Sequence, residues 1–323
     1  DMRRFEQRRI TYVPGLYKIF DEIIVNAADN KQRDPKMSRI DVRIDAATGE
    51  IDVWNNGLGI PVEKHKTENM YVPELIFGHL LTGSNDNDSE RKVTGGKNGL
   101  GAKLANIFSR EFRIETADGK NCYKQRWTDN MGSMDPYTIA PSKQQYTRVT
   151  FRPDYARFKM PGGLEEDSRR LMCKRVYDLA GCNGGLKVYL NGNRVPISSF
   201  KDYITMYLRK KEEEEVKEET VGDENGDGEE AVDNKGGEGD GDDGGDDDDD
   251  YDGDDGKKKG KGKGKGTTGG KKTKKKADEN VEPFIVCRCN ARWEVGIALS
   301  DGEFQQVSFV NSINTYRGGT HVN

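Results

Sequence analysis

Histidine is almost missing from this chain, and the three present, His65, His79 and His321, are too scattered to suggest a zinc set or a histidine-based triad. Cysteine is nearly as scarce. Cys122, Cys173, Cys182, Cys287 and Cys289 are odd in number and include no C-x-x-C pair, so reduced thiols are expected rather than a metal site or disulfide framework. No window holds the roughly 18 apolar residues that a membrane span requires. The opening DMRRFEQRRI carries charge without an apolar h-region, which argues against a signal peptide.

What is present is charge, unevenly distributed. Only 33% of the 323 residues are hydrophobic, and the mean hydropathy is -0.92. Most of this comes from one segment, 211–280, which holds 26 acidic and 14 basic residues. The remaining 253 residues carry 38 basic against 31 acidic, so an acidic insert masks a mildly basic body suited to a polyanionic partner. The insert runs from EEEE and DDDDD into KKKGKGKGKG and KKTKKK with almost no apolar residues, a composition that predicts disorder. Lengthening a connection from about 5 to about 75 residues costs only about 2.4 kcal/mol, at ~0.6 per doubling, so the fold tolerates it. Within it, DENGDGEEAVDN matches a calcium loop at positions 1, 3, 5 and 6 but places Asn234 where a bidentate Glu belongs, so calcium is not expected. The lysine run is open to two readings, a nuclear-import or nucleic-acid tail and a solvated linker.

Outside the insert the pattern is mixed. Leu16, Ile19, Phe20, Ile23, Ile24 and Ala27 form one apolar stripe, predicting a helix over 15–33 that starts after Pro14 and stops at Pro35. Ile40, Val42 and Ile44, then Ile51 and Val53, alternate with polar residues around an AATGE turn and predict a strand pair. A helix is expected over 70–81, and strands over 112–116, 146–151 and 187–190, the last ending at an Asn191-Gly192 hairpin signal. Strands and helices do not alternate regularly, so α+β is favoured over a doubly wound sheet.

Three segments carry chemistry. In DEIIVNAADN, Glu22, Asn26 and Asn30 are four apart and share a helical face, offering a base and neutral oxygen ligands for a hard cation. In WNNGLGIPV, Asn55 heads N-x-G-x-G, where the two glycines are expected to let the backbone approach a flat ligand while the amide reads its edge. In VTGGKNGLGAKLANIFS, Gly96, Gly99 and Gly101 free N–H groups for anionic oxygens, with Lys97 and Lys103 adding charge ahead of a helix. That loop fits neither a Walker motif, which needs Ser or Thr after the lysine, nor a dinucleotide fingerprint, since Leu104 stands where the third glycine belongs.

Taken in this order, Glu-x3-Asn, [D/N]-x-G-x-G and a glycine-rich lid resemble the Bergerat fold of the GHKL ATPases. Within that superfamily the match is closer to the ATPase region of eukaryotic type IIA DNA topoisomerases. It is carried by VPGLYKIFDEIIVNAADNKQRDPKM, WNNGLGIPV, MYVPELIFGHLLTGSN, the lid, and FQQVSFVNSINTYRGGTHV, and with weaker similarity between them it covers essentially everything outside the insert.

The resemblance implies a mixed sheet backed by helices over 1–205, the insert at 206–280, and the start of a transducer domain over 281–323. It implies ATP and Mg²⁺ as cofactors. Glu22 is then the general base; Asn26 coordinates Mg²⁺ and Asn30 supports it; Asn55 faces the adenine. Gly83, Ser84 and Asn85 contact ribose and phosphate, while Gly96, Lys97, Asn98, Gly99, Leu100, Gly101, Ala102 and Lys103 close over the triphosphate. Leu100 replaces a common aromatic residue and Gly83 a common serine. The resemblance further implies a homodimer on ATP binding, duplex DNA as partner, a nuclear location and no membrane association. In the family a lysine from the transducer reaches the γ-phosphate, and the DNA-cleaving tyrosine lies further on. The sequence stops at Asn323, so a piece of a larger enzyme with poor turnover by itself is expected. The competing reading is a non-catalytic nucleic-acid or histone-binding protein acting through the charged insert.

Overall fold

The structure, a computed structural model, describes residues 4–79, 100–208, 284–300, 302, 304–315, 318–319 and 321. Residues 1–209 with 282–323 form one compact unit, and 210–281 the other, which lies outside the described residues.

The first helix, α1 (Pro14–Arg33), buries the six stripe residues and also Asp21, Val25, Ala28 and Asp29. Pro14 fits its first turn, where an N–H would have no helical partner, and Lys31 and Arg33 suit the negative end of its dipole. Strands β1 (Arg39–Ile44) and β2 (Ile51–Asn56) pair antiparallel with Val42 opposite Val53. The Asp45 carboxylate accepts from the backbone of Ala47 and Thr48 and so builds their turn, and Gly49 takes φ +68°.

After α2 (Val72–Gly78) and α3 (Gly101–Ile107) come β3 (Ser109–Asp118), β4 (Asn121–Thr128), β5 (Ser133–Met134), β6 (Thr138–Pro141) and β7 (Gln145–Pro153). The helix expected over 70–81 is thus shorter, ending where His79 turns extended; residues 80 and 81 lie outside the described residues. Helix α4 (Glu166–Cys182) leads to β8 (Lys187–Leu190), β9 (Asn193–Arg194) and α5 (Phe200–Thr205). Asn191 and Gly192 both have positive φ, 49° and 83°, as a type I′ hairpin turn requires. Two hairpins follow, β10 (Phe284–Asn290) with β11 (Trp293–Ala298), and β12 (Phe309–Val310) with β13 (Ile313–Asn314).

The main sheet runs β5-β4-β3-β7-β2-β1-β8-β9, with β6 also on β4. Among the described residues only β1 and β8 pair in parallel, so the sheet is mixed and the class is α+β. One face buries Ile40, Val53, Phe112, Ile114, Trp127 and Phe151 together with α1 and α4 residues such as Phe20, Ile24, Met172 and Val176. The other is polar and laced with ion pairs, Arg113–Glu50 at 2.6 Å, Arg148–Asp52 at 2.7 Å and Arg126–Glu111 at 3.0 Å. Period-two alternation along β3 and β4 produces this two-sidedness directly. Among the described residues no helix is long and apolar enough to cross a membrane, and all five cysteines are free.

Candidate functional site

A cavity of about 670 Å³ opens between α1, the loop after β2, α2, the start of α3 and strand β7. Its lining includes Glu22, Asn26, Asn30, Asn55, Leu100, Gly101, Ala102 and Lys103, so every predicted site residue inside the described set meets at one place. Gly83, Ser84, Asn85, Gly96, Lys97, Asn98 and Gly99 lie outside the described residues.

Glu22, Asn26 and Asn30 climb one wall on successive turns of α1. Glu22 is half-buried, and its Oε1 lies 2.6 Å from the Lys18 ammonium one turn below. Its Oε2 faces the backbone of Gly101, where an added Cβ would fall 1.9 Å from that oxygen. Only glycine therefore lets α3 begin against this carboxylate. Asn26 is exposed on the wall. Asn30 donates through Nδ2 to the Leu58 carbonyl at 3.2 Å, tying the helix to the loop that follows β2.

Asn55 forms part of the floor. It is only 3% exposed, donates to the Asn56 carbonyl at 3.0 Å, and pairs across strands with Thr147, which also lines the cavity. Apolar side chains of Val53, Ile60, Ile76 and Val149 line the same cavity. A buried amide within an apolar floor can read the polar edge of a flat ring laid on it.

The two glycines after Asn55 also shape the loop itself. Gly57 takes φ +97°, while the Asp34 carboxylate accepts from Leu58 N–H at 2.8 Å. Gly59 lies against protein backbone, where an added Cβ would be 2.0 Å from the Ala117 carbonyl oxygen. The motif lets the loop fold back onto β3 while Leu58 and Gly59 still line the cavity.

Lys103 is 1% exposed, and desolvation pushes its ammonium below the ordinary lysine value. Its place in the lining puts a positive charge at the cavity wall. The donor set also suits a hard cation: Glu22 and Asn26 present oxygen ligands one turn apart. Mg²⁺ takes few protein ligands, filling its octahedron with water and phosphate oxygens. Among the described residues no group of three or more His, Cys, Asp or Glu is placed to hold a metal by itself.

Sequence reasoning missed Thr147 in the lining and Lys18 as the ion-pair partner of Glu22. Lys18 was within reach, being four residues before Glu22 on the same helix; Thr147 needed the register of β2 on β7.

The family profile described as "Histidine kinase-, DNA gyrase B-, and HSP90-like ATPase" matches residues 11–157. DNA topoisomerase 2 of Penicillium chrysogenum is 48% identical over 98% of this chain and 16% of its own length. For human DNA topoisomerase 2-alpha the figures are 45%, 98% and 17%. The chain thus spans about a sixth of the length of these relatives. Among solved structures, the ATPase region of Saccharomyces cerevisiae topoisomerase II superposes with a TM-score of 0.74 at 42% identity, covering 98% of this chain and 67% of that one. The ATPase and transducer domains of DNA topoisomerase II from Balamuthia mandrillaris give a TM-score of 0.73 at 41% identity, covering 99% and 65%.

Proposed function

Because the chain belongs to the ATPase region of the eukaryotic DNA topoisomerase II family, with its GHKL fold, we propose that its cavity binds Mg-ATP and hydrolyses the γ-phosphate bond. The convergence of Glu22, Asn26, Asn55 and Lys103 on one cavity, from separate parts of the sequence, carries this reading.

The adenine lies on the floor formed by Val53, Asn55, Thr147 and Val149, with the Asn55 side chain facing its polar edge. The triphosphate runs toward α3, where Lys103 supplies positive charge already stripped of much of its water. Asn26 would help hold Mg²⁺, which when bound would supply neutralising positive charge to the phosphates. Glu22 accepts the proton of the attacking water and orients it; Asn30 holds the wall through Leu58. The predicted contacts of Gly83, Ser84 and Asn85 with ribose and phosphate, and of 96–99 with the triphosphate, belong to the same reading.

The wider role is likewise proposed from the named relatives. ATP binding pairs two such units, closing a gate on duplex DNA in the nucleus; hydrolysis and product release reopen it. On this view 1–205 is the ATPase domain, 206–280 an insert and 281–323 the start of the transducer.

The test is calorimetric titration with a non-hydrolysable ATP analogue, with and without Mg²⁺, on the parent chain, Asn26→Ala and Glu22→Ala. Asn26→Ala is expected to weaken Mg²⁺-dependent binding. Glu22→Ala is expected to spare binding while hydrolysis falls about 10²–10⁴-fold. A parent chain that binds no analogue would sink the assignment of this cavity.

A further inference from the structure

One fully buried cation is not part of the cavity. Arg175 on α4 is 0% exposed and reaches in two directions. Its Nε donates to Asp21 Oδ1 at 2.7 Å, and its Nη2 to the carbonyl of Ser312 at 2.5 Å. A single guanidinium therefore joins the helix bearing Glu22 to a hairpin 137 residues downstream of Arg175.

Ser312 sits in the tight turn between β12 and β13, where it and Asn311 take positive φ of 63° and 50°. Asn183, capping the end of α4, donates to the Ser312 hydroxyl at 3.2 Å and to the Leu179 carbonyl at 2.9 Å. The seat of this hairpin is thus sensed by α4 at two points.

On the other side, Asp21 is next to Glu22. Its Oδ2 lies 4.0 Å from the Lys18 ammonium, and the same ammonium is 2.6 Å from Glu22 Oε1. Contacts run unbroken from the Ser312 carbonyl through Arg175, Asp21 and Lys18 to Glu22, with charges alternating in sign. Nη1 of Arg175 has no hydrogen-bond partner, so the fork is not saturated and can turn. If Ser312 withdrew, Asp21 would remain the hydrogen-bonded partner of Arg175, with Asp178 adding charge nearby, and Arg175 would draw the Asp21 carboxylate away from Lys18. Lys18 would then hold Glu22 alone, pinning the oxygen that water must approach.

We propose that Arg175 is a positioning residue for hydrolysis: through Asp21 and Lys18 it sets how freely Glu22 can act, according to whether the 309–314 hairpin is seated. This rests on the reading of Glu22 as the base. A purely structural role for the buried ion pair makes a different prediction, because it has no need of Lys18.

The experiment uses the full chain, with single-turnover hydrolysis of radiolabelled ATP and calorimetric affinity for a non-hydrolysable analogue. Asp21→Asn removes the central charge. Asn183→Ala loosens the hairpin while leaving the buried ion pair intact, so it remains informative even if Asp21→Asn fails to fold. Both are expected to slow hydrolysis by about tenfold or more while analogue affinity stays within about twofold. In a Lys18→Met background neither is expected to slow it further, because the connection is already cut. Equal slowing with and without Lys18, or parallel loss of binding and hydrolysis, would overturn the proposal. Glu22→Gln hydrolysing at the parental rate would instead overturn the reading of Glu22 as base. A slow Glu22→Gln beside Asp21→Asn and Asn183→Ala at parental rates would overturn the Arg175 link alone.

Discussion

Gly101 shows how much one missing methyl group can decide. A Cβ at that position would lie 1.9 Å from Glu22 Oε2 and 2.8 Å from its Cγ, so the carboxylate would have to swing away. The obstacle is the far end of a flexible side chain, which moves without disturbing the core. Gly101→Ala is therefore expected to fold and to bind an ATP analogue with little change. Its single-turnover hydrolysis is expected to fall about 10–100-fold, because displacing a catalytic group by about 1 Å can cost that much. A parental rate in this variant would show that Glu22 need not lie against α3. Lys103 makes the complementary point. In the sequence it stands out only as charge ahead of a helix; its burial, which depresses its pKa, is what the fold adds.

Among the secondary elements, those with aliphatic stripes or clean alternation were legible. α1 lies within one residue of its predicted start and ends where predicted, β8 coincides with 187–190, and the Asn191-Gly192 turn has the backbone its residues require. Helix α4 was not legible. Its inward positions run Ser168, Met172, Arg175, Val176 and Leu179, so a charge stands where the apolar stripe should continue. Buried arginine breaks the signal because its partners, Asp21 and Ser312, come from distant segments. The loop after β2 was legible only in part, for a similar reason. Gly59 lines the cavity, and it is also held against the Ala117 carbonyl, a contact between backbones that cannot yield cheaply and that comes from a distant strand. Gly59→Ala is expected to lower stability by about 1–3 kcal/mol, the usual penalty of overpacking, measured by urea denaturation. A loss below ~0.5 kcal/mol would mean that the loop has room to move.

Over the whole molecule, the two functional readings part at the insert. If the cavity carries function, deleting 211–280 should leave analogue affinity and Glu22-dependent hydrolysis unchanged, as calorimetry and a single-turnover assay would show. A deletion that abolished all activity would favour the charged tract instead. The amino-acid sequence by itself determined the local chemistry: which helix bears Glu22, Asn26 and Asn30 on one face, which loop bends at Gly57 and Gly59, and where an acidic insert interrupts a basic body. These follow from periodicity, turn preference and charge, each of which acts over a few residues. Only the tertiary structure decided that Asn55 forms a floor with Thr147 and that Lys103 is buried beside the cavity. It also decided that Arg175 links α1 to a hairpin far along the chain. Those relations depend on strand register and on which helix faces meet, and both are set by burying one face of the mixed sheet, a condition that no short segment can express alone.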